Sequence, residues 1–232
     1  MKAIGNAFGT WTEYRVSNLL RIGEKVDKRI AGVLVEDGQT IHPRAAKELI
    51  DEASWIDDDT HQEYMAGLLV ASRSPEGISD NGVYYTRIVA NLSSAQIKLH
   101  HALYGAYENS LGGNVENATH FNGDGEGRRR IAVHAARDSF HEVCGDYDSF
   151  AVGANGLLRE GLIDDYGSSG DESYVFVPSL LGAILYHRAL GFPAGIGAIR
   201  VETAQLMSLY PGYVPVAMAP DRPRLRNVRI GY

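Results

Sequence analysis

The chain has 232 residues, of which 44% are hydrophobic and 22% charged, with a formal net charge of -7 and a single cysteine, Cys144. That length and apolar share give room for one large or two small cored domains and exclude disorder as the main state. The acidic balance excludes a general polyanion coat, and one cysteine excludes an intramolecular disulfide and a cysteine-based zinc cage, in keeping with a reducing cytosol.

Residues Met1 to Thr10 lack the apolar segment of a secretory leader, and no apolar run approaches the length of a membrane span, so a cytoplasmic location is expected. The acceptor-like triplets Asn91-Leu92-Ser93 and Asn117-Ala118-Thr119 then carry no glycan. Residues 3 to 30 read as one long amphipathic helix, with Ile4, Phe8, Trp11, Leu19, Ile22, Val26 and Ile30 at spacings near three and four. Glu13, Arg21, Glu24, Lys25, Lys28 and Arg29 fall on its other side. The favoured reading is a helix packed on the body of its own chain. A stripe this long, carrying Phe8, Trp11 and Leu19, also suits self-association into a homo-oligomer. The mixed charge of the polar side argues against membrane docking, which favours Lys and Arg there.

Val35 to Ile41 reads as a turn-rich link, and Pro43 opens a short helix over 43–53. Thr60-His61-Gln62-Glu63 has the form of a capping box, starting a helix that runs to about Ser72 and stops at Ser74-Pro75. Val83 to Leu92 reads as a helix, and Ser93 to Gln96 is a second box opening a helix over 94–108. Leu111 to Gly127 is rich in glycine and asparagine and reads as a long surface loop. It is placed as the boundary between an N-terminal helical domain, 1–112, and a C-terminal subdomain, 128–210.

Arg128 to Val143 is predicted helical. Arg128, Arg129 and Arg130 at its start oppose the helix dipole, which makes them candidates for binding an acidic protein face or phosphate, against solvated charge offset by Asp124 and Glu126. Ser149 to Glu160 is a helix ending at Gly161, followed by the turn-rich 164–171, the β-prone Tyr174-Val175-Phe176-Val177, and a helix from Pro178 to Leu190 capped by Gly191. A helix, a short hairpin and a helix in that order match a winged helix, a frequent DNA reader. Asn155 and Arg159 could serve such a role, but Glu160, Asp164, Asp165, Asp171 and Glu172 would repel phosphate. A winged-helix-like subdomain used for packing or protein contact is the better reading. Residues 211–232 lack helical periodicity and gather Arg222, Arg224, Arg226 and Arg229 into a basic tail. The fold class expected is mainly α, with a small winged-helix-like β-hairpin in the C-terminal half.

No motif amounts to an active site. Asn122 to Gly127 opens like a calcium loop, but the twelfth position, which should be a clamping Glu, is Val133. His134, Asp138, His141 and Cys144 would share a face of the predicted helix, yet consecutive side chains on one helix do not all converge on one ion, so partly buried polar residues are the better reading. Gly195-Ile196-Gly197 lacks the third glycine of a dinucleotide fingerprint. Cys144 reads as a small core residue rather than a nucleophile. No catalytic residue, metal or cofactor is assigned, and an enzyme is not expected.

Two segments together resemble the Abi-alpha (abortive infection alpha) family. One is Trp55-Ile56-Asp57-Asp58-Asp59 continuing to the Tyr64 to Ser72 helix with its Gly67-Leu68-Leu69; the other is Ile88 to Gln96, leading into the next helix. The amphipathic start from Gly5 to Arg21 fits as well, and Val177-Pro178-Ser179-Leu180-Leu181-Gly182 is similar to a turn into a C-terminal helix. The resemblance covers about the first 110 residues well and the rest loosely, and the tail after Tyr210 lies outside it. These are capping and packing patterns, so they imply fold and a phage-defence context but bring no catalytic residues. The function expected is a component of a bacterial anti-phage system that binds a separate protein effector as sensor, adaptor or regulator. The alternative is nucleic-acid binding through the winged-helix-like subdomain and the arginine-rich tail.

Overall fold

The computed structural model describes residues 2–30, 38–111, 132–170, 172–192 and 225–231, which form eight helices and two small antiparallel sheets. The fold is mainly α. The described residues fall into two compact units: one holds those up to 91 with 188–192, the other 92–187 with 225–231. Among the described residues no helix is long and apolar enough to cross a membrane.

The first unit opens with the predicted amphipathic helix, α1 (Lys2–Ile30), which carries Lys28 and Arg29 in its last turn, where the dipole favours cations. Ile22 and Val26 are buried on its inner side, and Asn18 donates to the Ser54 carbonyl at 3.1 Å. Strand β1 (Gln39–Ile41) leads into α2 (Pro43–Ala53), whose proline occupies the first turn and whose cap is His42, its Nδ1 accepting from the Arg44 amide at 3.2 Å. The strand β2 (Arg73–Pro75) pairs antiparallel with β1, and α4 (Gly82–Ala90) completes the unit.

Between them lies α3 (Asp59–Ala71), buried on nearly every side and therefore the centre of the unit. Its start departs from the predicted capping box. Asp58, not Thr60, is the cap: its Oδ1 accepts from the His61 amide at 3.1 Å. Glu63 does not turn back to a backbone amide because two cations of α1 reach it, Lys25 Nζ and an Arg29 guanidinium nitrogen, each at 2.6 Å. Such charge-assisted bonds are stronger than a neutral cap. Arg29 is therefore 2% exposed rather than on the solvent side of the helix. Gly67 is a contact point: a methyl there would lie 1.8 Å from the Ala189 carbonyl oxygen.

The second unit starts on the predicted Ser93–Gln96 box, which is reciprocal: the Gln96 side chain accepts from the Ser93 amide at 2.6 Å, and Ser93 Oγ accepts from the Gln96 amide at 3.3 Å. It opens α5 (Ser94–Leu111). Residues 132–136 are a strand, β3 (Ala132–Ala136), and not part of the predicted helix over 128–143; only α6 (Arg137–Cys144) is helical there. The Ala-Val-His-Ala-Ala run alternates buried and half-buried residues, and its backbone is paired on both sides, so tertiary pairing overrides alanine's helix propensity. Then follow α7 (Tyr147–Arg159), β4 (Ile163–Ser169), β5 (Ser173–Pro178) and α8 (Leu180–Ala189). Strand β6 (Arg229–Gly231) lies within the segment read as a basic tail and pairs with β3, giving the sheet order β4-β5-β3-β6.

The inner face of that sheet packs Tyr174 and Phe176 of β5 against Phe140 of α6 and Phe150 of α7, with Phe150 and Tyr174 stacked at 4.5 Å and Phe140 tilted against Phe176 at 5.0 Å. Behind it a buried polar knot ties α5 to both ends of the hairpin. The Tyr104 hydroxyl donates to the Leu162 carbonyl at 2.6 Å and accepts from the Ser179 amide at 2.9 Å. Ser179 Oγ donates to the Gly161 carbonyl and accepts from the Gly182 amide, and the His100 imidazole donates to the Gly182 carbonyl at 3.1 Å.

Candidate functional site

In the second unit, α7 exposes both apolar and polar residues on its outer side. Asp146 caps it, its carboxylate accepting from the Ser149 amide at 2.7 Å, and those hydrogen bonds hold the Asp146 carboxyl below its ordinary value. Phe150, Ala154 and Leu157 point inward and are buried. Tyr147, Val152 and Leu158 point outward with 58%, 67% and 39% of their surface exposed. Asp148 and Asn155 lie exposed on the same side, and Arg159 is already paired with Glu160 at 3.0 Å. Just beyond, β4 exposes Asp164 and Asp165. Tyr147 and Leu158 lie on one flank of the exposed side and Val152 on the other, with Asp148, Asn155 and Arg159 between them.

The residues singled out in the sequence are distributed differently. Arg128, Arg129, Arg130, Arg222 and Arg224 lie outside the described residues. Arg226 is ion-paired with Glu142 at 2.6 Å. Arg229 stands on β6 directly opposite His134 of β3. On α1 the Phe8 side chain lies outside those described, whereas Trp11 meets Trp55 at 5.5 Å and both flank the Arg15 guanidinium at 5.0 and 4.9 Å. Leu19 lines a mainly apolar groove of about 280 Å³ with Ile22, Val26, Leu49, Ile50 and Met65.

The proposed polar face His134, Asp138, His141 and Cys144 does not form on one helix, because His134 is on a strand and the other three are on α6. Among the described residues no group of three or more His, Cys, Asp or Glu is placed to hold a metal ion. Burial, assisted by the nearby Asp146 charge, pushes the Cys144 thiol up to about 12, so the sulfur is a protonated thiol rather than a nucleophile at neutral pH. Burial likewise brings His100 down to about 3 and lowers His61, whose imidazole donates to the Val89 carbonyl at 2.9 Å. Both rings act as neutral hydrogen-bond donors that close off buried carbonyls.

On α7 the sequence points to Asn155 and Arg159 and not to Tyr147, Val152 and Leu158, although these are apolar residues off the buried stripe of Phe150, Ala154 and Leu157. Neither curated proteins nor solved structures give a match to this chain. A sequence model of the family described as abortive infection alpha does match, over residues 14–177. That span takes in most of α1, the capped helices and nearly all of β5, and it includes Tyr104, Gly161 and Leu162 of the polar knot but not Ser179 or Gly182. This chain belongs to the abortive infection alpha family, whose membership carries a role in bacterial defence against phage.

Proposed function

We propose that the protein acts in abortive infection, in the cytoplasm, by binding another protein, as sensor, adaptor or regulator of a separate effector. The observation that carries the reading is the exposure of Tyr147, Val152 and Leu158 on α7, on either flank of the polar Asp148, Asn155 and Arg159. Isolated exposed apolar side chains are ordinary, but three on one short helix, interleaved with Asp148, Asn155 and Arg159, have the mixed make-up of a protein contact surface.

The test is affinity capture of tagged protein from host cells before and shortly after phage infection, using the natural chain and Val152→Arg. The substituted side chain is solvent-exposed, so the variant should melt at the same temperature as the parent. The natural chain should recover a specific protein partner, and the variant should lose both that partner and protection against phage. Unchanged capture by the variant removes α7 as the contact. A purified protein that by itself hydrolyses nucleotides or nucleic acid would overturn the non-enzymatic reading.

One observation favours the second reading, nucleic-acid binding. The sequence of elements α5, β3, α6, α7, β4 and β5, with β5 lying between β4 and β3, supports a winged-helix-like reading, in which α7 would be the reading helix. Its exposed carboxylates weigh against that use. Recovery of nucleic acid with no protein partner in the same capture would favour it.

A further inference from the structure

The outer face of the sheet in the second unit holds a pocket of about 610 Å³, lined by His134, Ser169, Glu172, Ser173, Asn227 and Arg229. The pairing builds it. His134 faces Arg229 across β3 and β6, and Ser169 faces Ser173 across β4 and β5, so these side chains emerge on one side while Val133, Tyr174 and Phe176 go to the core. The Arg229 guanidinium and the His134 imidazole thus stand opposite each other across the strand pair, two donors on one side of the sheet.

The other arginines around this sheet are engaged. Arg226 pairs with Glu142, Arg159 with Glu160, and Arg137 lies over the Tyr174 ring at 5.0 Å. Among the described residues Arg229 and His134 have no side-chain partner. Beside them Asn227 adopts φ +54, a left-handed conformation that is strained for a residue with a side chain and least so for asparagine. The turn carrying it is pinned, because the Ala136 amide donates to the Arg226 carbonyl at 2.9 Å. Asn227 lines the same pocket as Arg229.

We propose that this pocket binds a nucleotide, its phosphate taken by Arg229, His134 and Asn227 and its ribose hydroxyls by the Glu172 carboxylate. Arginine offers forked donors that match phosphate oxygens, and the amide and imidazole add donors from the side. Glu172 can only accept when ionised, so it suits a hydroxyl or amino group and repels a second phosphate. The volume is that of a small-molecule site. The site does not depend on the α7 contact and stands or falls separately from it.

The experiment is calorimetric titration of the full chain with AMP, GMP, their 2′-deoxy forms, inorganic phosphate and a short single-stranded DNA, at one fixed salt concentration. A saturable ribonucleotide signal is expected, at least tenfold weaker in Arg229→Gln and unchanged in Arg159→Gln, with melting temperatures confirming that both variants fold. Glu172→Gln should erase the preference for ribose over deoxyribose without abolishing binding. No nucleotide binding, equal binding by Arg229→Gln, inorganic phosphate bound as tightly as the nucleotides, or DNA preferred over all of them would each overturn the proposal.

Discussion

At the scale of single residues, the clearest consequences come from buried polar atoms whose partners are fixed. The Tyr104 hydroxyl serves the Leu162 carbonyl and the Ser179 amide at once, and its burial pushes its own ionisation far above the ordinary range. Tyr104→Phe keeps the ring in place but leaves a buried carbonyl and a buried amide each short of a partner. The cost should be about 1–3 kcal/mol for the unsatisfied groups, read as a lower urea midpoint with unchanged helix content by circular dichroism. A loss below a few tenths would mean the hydroxyl is not the knot's centre. Little of this was legible in the sequence. Tyr104 looks like any apolar helix residue, and Arg29 looks like surface charge, because Glu63 and Ser179 reach them only through the fold.

At the scale of elements, helix approach is governed by glycine at two points, and both fall in the stretches that carry the family likeness. A methyl on Gly67 would lie 1.8 Å from the Ala189 carbonyl oxygen, and one on Gly182 would meet the Tyr104 hydroxyl at 2.0 Å. Backbone cannot swing aside as a flexible side chain can, so α3 would have to move. Gly67→Ala should therefore destabilise by about 1–3 kcal/mol or more, as overpacking does, in spite of alanine's better helix propensity. A melting temperature equal to or above the parent's would show that the helices approach less closely. Elements whose signals are local were legible: the α1 periodicity, Pro43 at the start of α2, and the Ser93–Gln96 box. Strand β3 was not. Ala132 to Ala136 favours helix by composition, and what makes it a strand is pairing with residues 173–176 and 229–231, which no local pattern announces.

At the scale of the whole molecule, stability should decline on the acid side, and the sign follows from the shifts. His100, buried, has its folded value brought from the ordinary 6.5 to about 3, and burial lowers His61 as well. For groups depressed in the folded state, the unfolded chain takes up more protons below pH 6.5. Their contribution is complete above that pH and lost as pH falls toward 3, at roughly 1.4 kcal/mol per unit for each fully shifted ring. Glu63 acts in the same direction lower down. Burial alone would raise it, but Arg29 and Lys25 outweigh burial and hold it below 4.5, so its contribution is lost as pH drops through that range. Urea midpoints at pH 7 and pH 5 should fall measurably, and His100→Gln, which retains a donor for the Gly182 carbonyl, should flatten the decline. A midpoint constant across that interval would show that the two rings titrate as they do in water.

The pairing of β3 with β6 also has a kinetic meaning. Hairpin β4-β5 joins neighbours in the chain, whereas residue 134 must find residue 229 across a long intervening stretch. Contacts so distant in sequence close late, because the chain entropy of the loop must be given up before the strand is secured. The Arg229 side of the sheet is therefore the last part of the unit to mature and, by the same reasoning, the first to open, which makes the outer edge of β3 the place where amide hydrogens should exchange soonest and where a bound ligand would slow that exchange most.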